Sequence, residues 1–120
     1  MTTEETARAF SSHRFRETYE RIAEDTVWTL VGSEPVRGRD AIVAVCEAAS
    51  QGDEGVTIEW LRFVSTGPGD VVAVDAVGRY SGSEGVSTVS SADVYEFDGD
   101  VLVAITSYAV ELDDEATRDA

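Results

Sequence analysis

The sequence contains no lysine, one cysteine and one histidine among its 120 residues. The single cysteine, Cys46, excludes an intramolecular disulfide and a cysteine-rich metal site. A metal site built from several histidines is excluded in the same way, and we interpret the one histidine, His13, as an isolated surface residue. No apolar run approaches the length of a membrane span, and the N-terminus lacks the apolar segment of a secretion signal. We therefore expect a cytoplasmic protein with no membrane partner.

Positive charge is also scarce, since the chain has only nine arginines. They are outnumbered by 24 acidic residues, which gives a formal net charge of -15. Such a surface repels the phosphates of nucleic acids and anionic lipids, so neither is an expected partner. Acidity of this kind serves solubility in general. It also favours a halophilic source, because molar salt in the cytoplasm screens repulsion among carboxylates. The absence of lysine is consistent with a GC-rich genome, in which arginine codons replace lysine codons.

Hydrophobic residues make up 42% of the chain, which is enough for a packed core, and 120 residues fit a single domain. We assign residues 1–112 to this domain and residues 113–120 to an acidic flexible tail. The chain has no phosphate-binding loop, no dinucleotide fingerprint and no Ser-His-Asp set. No cofactor is therefore expected.

Capping signals and apolar periodicity predict three helices in the first half of the domain. The first starts at Thr2 or Thr3, where two glutamates follow at the positive end of the helix dipole. The second covers about residues 13–23, and the third begins with Asp40 as its N-cap and ends at Gly52.

Five strands are predicted, one before the third helix and four long ones after it. They lie near residues 26–31, 56–65, 71–80, 86–97 and 101–112, and the last four are joined by short, turn-rich connections typical of antiparallel hairpins. Helices followed by hairpins indicate an α+β fold, in which a curved antiparallel sheet wraps over the helices as a cone-shaped barrel. The mouth of such a cone is a natural entrance for a small ligand.

Asp93 is the most informative polar residue, because it stands where a strand should bury apolar side chains. The segment from Val89 to Gly99 alternates with a period of two, so Asp93 shares one face with Tyr95 and Phe97. A carboxylate on that face has to be hydrogen-bonded, neutral or in a wet pocket. Asp93 is therefore either the polar group of a ligand cavity or a structural carboxylate bonded to a helix end or a hydroxyl.

Two segments resemble the bacterial ketosteroid isomerases. One is Val31-Gly32-Ser33-Glu34-Pro35 with the following Gly38 and Ala41-Ile42, and the other is Asp93-Val94-Tyr95-Glu96-Phe97 with Gly99. The order of elements is also similar to the nuclear transport factor 2-like fold, which these isomerases share with SnoaL-like polyketide cyclases. The resemblance implies the same cone-shaped fold over nearly the whole chain, whereas function varies widely on this scaffold.

The resemblance extends to one of the three residues that carry the isomerase reaction. Asp93 matches the aspartate of the oxyanion hole, which implies a carboxylic acid that donates a hydrogen bond to a carbonyl ligand. Thr29 stands at the position of the general base and has no useful basicity, and the tyrosine position falls near Thr6. The last-strand aspartate of limonene-epoxide-hydrolase-like enzymes is likewise replaced, by Ser107.

A pocket and an interface follow from strand alternation and from the same resemblance. With Asp93 as the candidate catalytic residue, the expected pocket residues are Thr29, Val74, Ala76, Tyr95, Phe97 and Tyr108. In this superfamily the outer face of the sheet commonly forms a dimer interface, which here would include Val103 and Ile105 and implies a homodimer.

The leading hypothesis is a small-molecule-binding protein whose ligand is a compact, apolar carbonyl compound. As an enzyme it would be an isomerase, cyclase or hydrolase that acts through Asp93, with its general base unidentified. The alternative is a non-catalytic dimeric domain that binds ligands or partners and whose pocket is vestigial. A pocket plugged by Tyr95, Phe97 and Tyr108 would favour this alternative.

Overall fold

A six-stranded curved sheet covers two α-helices and a 3-10 helix in the computed structural model, which describes residues 1–112. The predicted tail, residues 113–120, lies outside the described residues. The elements are α1 (Thr3–Ser11), the 3-10 helix (Phe15–Arg21), β1 (Ile22–Leu30), β2 (Val36–Arg37), α2 (Arg39–Gly52), β3 (Thr57–Ser65), β4 (Val71–Gly82), β5 (Gly85–Asp98) and β6 (Val101–Leu112).

The strand order in the sheet is β2-β1-β6-β5-β4-β3. The hairpins β3–β4, β4–β5 and β5–β6 are antiparallel as predicted, but β1 pairs with β6 in parallel. The α+β class is confirmed, with the correction that the sheet is mixed and stays open between its edge strands β2 and β3 rather than closing into a barrel.

Local sequence explains where two of the helices begin. Thr2 caps α1, because its hydroxyl accepts from the Glu5 amide at 3.1 Å while the Glu5 carboxylate accepts from the Thr2 amide at 2.9 Å. The N-cap of α2 is Gly38 rather than the predicted Asp40. Gly38 has φ of 92° and donates its amide to the Thr26 carbonyl at 2.8 Å, a geometry that ties the helix start to β1 and suits glycine.

The predicted second helix is shorter than expected. It is a 3-10 helix from Phe15 to Arg21, and the chain enters β1 at Ile22. Ile22 is buried and pairs with Leu102 of β6, so sheet pairing takes over residues that could have extended the helix. None of the helices among residues 1–112 is both long and apolar enough to cross a membrane.

The hydrophobic core lies between the helices and the concave inner face of the sheet. It includes Phe10 from α1, Ile42 and Cys46 from α2, and Tyr95 and Leu102 from the sheet. Cys46 is fully buried, and burial raises the pKa of its thiol to about 12, so this residue behaves as the small buried hydrophobe that its helix position predicts.

A bulge in β6 decides which residues of the last strand face inward. Tyr95 pairs with Ile105, but Phe97 pairs with Leu102, which leaves Val103 as an extra residue on β6. Because a one-residue insertion reverses the alternation, both Leu102 and Ile105 are buried. The prediction that Ile105 belongs to the outer surface is therefore wrong.

The same bulge places Tyr108 on the outer face of the sheet. Tyr108 is 50% exposed and pairs with the exposed Ala92, whereas its neighbour Ser107 is buried opposite Asp93. The expectation that Tyr108 lines the inner face thus fails for a physical reason, since an uninterrupted alternation from Leu102 would have placed it there.

Candidate functional site

A cavity of about 210 Å³ lies between the end of α1 and the inner face of the sheet. Most of its wall is apolar and comes from Phe10, Phe15, Trp28, Leu30, Val89 and Ala109. The polar side chains on the wall are Ser11, His13, Tyr80, Ser91, Asp93 and Ser107. An apolar enclosure with a few converging polar groups is the usual form of a small-molecule site.

Asp93 lies on this wall at the end of a chain of hydroxyl groups. The Ser11 hydroxyl lies 2.8 Å from Asp93 Oδ2 and 2.6 Å from the Tyr95 hydroxyl. If Ser11 uses its single proton for Asp93, Tyr95 has to donate to Ser11, so the chain runs from Tyr95 through Ser11 to Asp93. The buried Tyr95 thereby holds Ser11, and Ser11 holds the carboxyl group.

Ser107 supports Asp93 from the adjacent strand. The two residues are directly paired between β5 and β6, and the Trp28 indole donates to the Ser107 hydroxyl at 2.9 Å. Ser107 therefore has its own proton free to donate to Asp93. Two serines on different elements, α1 and β6, thus orient one carboxyl group in the cavity wall.

Burial raises the pKa of Asp93 above its ordinary value, because a charge is poorly solvated in this wall. Hydrogen bonding by Ser107 and Ser11, the field of His13 and the nearby Tyr95 hydroxyl all act in the opposite direction, but burial is the largest effect. Burial therefore makes the neutral acid easier to form than in a solvent-exposed aspartate, and in that form Asp93 can donate a hydrogen bond to a ligand.

His13 is placed in the cavity wall by the way α1 ends. After the C-cap Ser12, the His13 amide donates to the Phe10 carbonyl at 3.1 Å and the Arg14 amide donates to the Ala9 carbonyl at 2.9 Å. This pair of bonds is the Schellman termination, in which the residue after the cap is left-handed and most often glycine. His13 occupies that position with φ of 67°, at a cost of roughly 1–2 kcal/mol for a residue with a side chain.

The His13 ring is held by a carboxylate. Its Nδ1 lies 2.8 Å from Oδ2 of Asp53, the C-cap residue of α2, and the ring stacks on Phe15 with centroids 5.1 Å apart. A carboxylate only accepts, so Nδ1 carries a proton and Nε2 is the basic nitrogen of the neutral ring. Nε2 lies 3.4 Å from the Tyr80 hydroxyl. The interpretation of His13 as an isolated surface residue is therefore wrong, since its side chain is 28% exposed and lines the cavity.

Among the predicted pocket residues, four share the inner face but belong to the core. Tyr95 and Phe97 follow Asp93 on β5, and Val74 and Ala76 lie on β4; all four are buried and none lines the cavity. Tyr95 nevertheless reaches the site through Ser11. The cavity is therefore not plugged by these side chains, because it lies toward the other end of their strands.

Thr29 and Tyr108 are not brought to the cavity. Thr29 pairs with Thr106 on the parallel strand, whereas its neighbours Trp28 and Leu30 line the cavity and therefore point to the opposite face. The position that corresponds to the isomerase base thus faces away from Asp93. With Tyr108 on the outer face as well, Asp93 is the one expected pocket residue that lines the cavity wall.

Sequence reasoning missed Ser11, His13, Trp28, Tyr80 and Ser107. One local signal was available for His13, because it follows a helix break at Ser11-Ser12, where glycine or asparagine is the ordinary residue. The others meet through contacts between residues far apart in the chain, such as Ser11 with Asp93.

The family model of the SnoaL-like domain matches residues 3–105. A nuclear transport factor 2-like protein of unknown function from Cytophaga hutchinsonii shares 25% identity and superposes with a TM-score of 0.75 over 90% of this chain and 99% of that chain. A candidate SnoaL-like polyketide cyclase from Jannaschia sp. CCS1 shares 15% identity, with a TM-score of 0.70 over 89% and 84% of the two chains.

An epoxide hydrolase of M. tuberculosis, similar to limonene epoxide hydrolase, also shares 15% identity, with a TM-score of 0.64 over 90% of this chain and 82% of that chain. No curated protein matched the sequence. The predicted resemblance in fold is confirmed, and at 15% identity the likeness to the cyclase and hydrolase structures concerns the fold alone.

Proposed function

This chain belongs to the SnoaL-like domain family of the nuclear transport factor 2-like fold, and we propose that it binds a small apolar carbonyl compound at Asp93 and catalyses a proton transfer on it. The observation that carries the proposal is the half-buried Asp93, which two serines orient at the edge of an apolar cavity. Isomerisation and cyclisation through an enol are the reaction classes that such an acid serves.

The proposed chemistry uses the protonated form of Asp93, which the raised pKa makes easier to form. A neutral Asp93 donates a hydrogen bond to the carbonyl oxygen of the ligand, and this bond strengthens as negative charge develops on that oxygen. Ser11 and Ser107 fix the carboxyl group beforehand, so little reorganisation is needed during the reaction.

The size of the cavity limits the ligand. Its volume of about 210 Å³ is below the roughly 300–1,000 Å³ of sites for drug-sized molecules. The proposed ligand is therefore a compound of one or two rings, with its carbonyl at Asp93 and its rings against Phe10 and Trp28.

The bicyclic ketone 2-tetralone tests the proposal by isothermal calorimetry. We expect binding that weakens as pH rises through the raised pKa of Asp93, because the ionised acid no longer donates. Asp93→Ala should lose about tenfold or more in affinity, whereas Asp93→Asn keeps a donor and should bind with little dependence on pH. Tyr108→Phe, on the outer face, is the matched control. Equal affinity of the wild type and Asp93→Ala would refute the proposal.

We also propose that a second copy of the chain packs on the outer face of the sheet. The paired outer residues at the centre of β5 and β6 carry no charge; they are Ser90, Ala92, Val94, Thr106, Tyr108 and Val110. In a chain with a net charge of -15, two copies meet with less repulsion on an uncharged patch than on one rich in carboxylates. Such an interface is compatible both with the catalytic proposal and with the alternative of a non-catalytic dimeric domain.

Light scattering tests this interface. We expect a dimer for the wild type and a monomer for Tyr108→Asp, with Val86→Asp at the exposed start of β5 as a control that stays dimeric. A monomeric wild type would exclude the interface.

A further inference from the structure

We propose that His13 Nε2 is the proton acceptor of this site and that Asp53 is its positioning residue, an inference that rests on the proposed function. Proton transfer next to a carbonyl needs a base as well as the acid, and an Asp93 that donates to the carbonyl oxygen cannot also be that base. His13 is the one nitrogen base on the described cavity wall, and its ring is already oriented through Nδ1 by the Asp53 carboxylate at 2.8 Å.

Tyr80, the remaining titratable group on the cavity wall, is not suited to act as the base. Burial, followed by the carboxylates of Asp53 and Asp93, raises the pKa of the Tyr80 hydroxyl, which therefore stays protonated at neutral pH. Its oxygen lies 3.4 Å from His13 Nε2, so the basic nitrogen is directed toward the Tyr80 side of the cavity. This distance is longer than an ordinary hydrogen bond. A ligand that takes the place of the Tyr80 hydroxyl beside Nε2 therefore breaks only a weak contact.

The backbone supports a role for the His13 side chain. Glycine or asparagine would end α1 at this position without the strain of a left-handed histidine. A strained residue that lines a cavity is a recurrent feature of functional sites. The strain here brings the imidazole between Asp53, Phe15 and the cavity.

His13 also has a route to solvent. It lines a second, open groove of about 340 Å³ between the 3-10 helix and the end of α2, together with Arg14, Glu17 and Glu54. A base in this position can take a proton on the cavity side and exchange it with water on the other. Among the described residues, the titratable groups that face the ring are Asp53 from the C-cap of α2, Tyr80 from β4 and Asp93 from β5.

The step balances without a further reagent. His13 Nε2 takes a proton from the carbon next to the carbonyl, and the electron pair of that C–H bond forms the C=C bond of the enol. The carbonyl π pair moves to oxygen, which receives a hydrogen bond from Asp93. The imidazolium then returns a proton to carbon, and in D₂O it returns a deuteron.

Deuterium exchange of 2-tetralone, followed by proton NMR, measures this step directly. We expect His13→Gly to lower the enzymatic exchange rate by about 10²–10⁴-fold, since this is the usual contribution of general base catalysis. The glycine suits the left-handed backbone, so folding and 2-tetralone binding should persist in this variant. Added imidazole should restore part of the exchange in His13→Gly, because it can occupy the space of the missing ring.

The role of Asp53 has its own readout. Asp53→Asn should leave the affinity for 2-tetralone unchanged and lower the exchange rate at saturating 2-tetralone, because an amide oxygen holds Nδ1–H less firmly than a carboxylate does. An Asp53→Asn variant that exchanges bound 2-tetralone at the wild-type rate would refute the positioning role.

The remaining outcomes separate the two proposals. Exchange that survives His13→Gly in a protein that binds 2-tetralone would overturn the base assignment and leave the proposed function standing. Binding without any exchange in the wild type would also overturn it. Absence of 2-tetralone binding in the wild type would refute the proposed function and, with it, the inference.

Discussion

Gly78 on β4 is a position where one added methyl group should disturb the wall of the site. Gly78 pairs with Trp60 of β3, and a Cβ atom there would lie 2.9 Å from Trp60 Cζ3, 3.2 Å from Trp60 Cε3 and 3.1 Å from Tyr80 Cε1. The Trp60 ring cannot simply turn away, because it packs edge-on against Phe63 at 5.2 Å and against His13 at 6.2 Å. Gly78→Ala therefore forces Trp60 to move and presses on Tyr80, which lines the cavity.

Two opposing effects set the size of the change in stability. Overpacking a well-filled site costs roughly 1–3 kcal/mol. Replacing glycine by alanine within a strand recovers about 0.5–1 kcal/mol of that cost. We therefore expect Gly78→Ala to lower the free energy of unfolding by about 1 kcal/mol. The affinity for 2-tetralone should also fall, because Tyr80 lines the cavity.

Urea unfolding of a double-mutant cycle checks the cause. Trp60→Leu removes the two indole atoms that Cβ would meet, so Gly78→Ala should become close to neutral in that background. Gly82→Ala is the control on the same strand, since its Cβ would meet a Val56 methyl group at 3.3 Å and the Gly55 carbonyl oxygen at 3.9 Å rather than an aromatic ring. Equal destabilisation by Gly78→Ala in both backgrounds, or none in the wild type, would show the packing argument to be wrong.

Two further variants test the site and the fold. The raised folded pKa of Asp93 means that its favourable contribution to stability is fully present below the ordinary aspartate pKa and is lost as pH rises through the raised value. Asp93→Asn should therefore gain stability over the wild type with rising pH in urea titrations, and a difference that is constant with pH would contradict this. Thr26→Val should cost about 1–3 kcal/mol, because the buried Thr26 hydroxyl accepts from the Ala23 amide at 2.8 Å and donates to the Leu102 carbonyl at 2.7 Å. Thr57→Val, on the exposed start of β3, should change urea stability little, and an equal loss would exclude the hydrogen-bond explanation.

Signals carried by neighbouring residues predicted most of the secondary structure. The capping box at Thr2 and Glu5 started α1, and turn residues separated the four long strands at the expected places. Alternation along β5 placed Asp93 on the same face as Tyr95, because a strand has a fixed period of two. These features depend on contacts within a few residues, which a single sequence records.

The last strand shows where such reasoning stops. Its apolar residues occur at both parities, so alternation alone allowed either face, and the extra residue at Val103 changed the answer between Leu102 and Ile105. A bulge arises from the way two strands pair with each other, so the sequence of either strand alone does not predict it.

The sequence by itself determined the α+β order of elements, the family resemblance and the face on which Asp93 lies. Only the tertiary structure decided what surrounds that acid. It brought Ser11 from α1 and Ser107 from β6 to its carboxyl group, and it brought His13 against Asp53, 40 residues away in the chain. The physical reason is that pKa values and hydrogen-bond chains depend on distances in space, which follow from sheet register and helix termination rather than from local pattern.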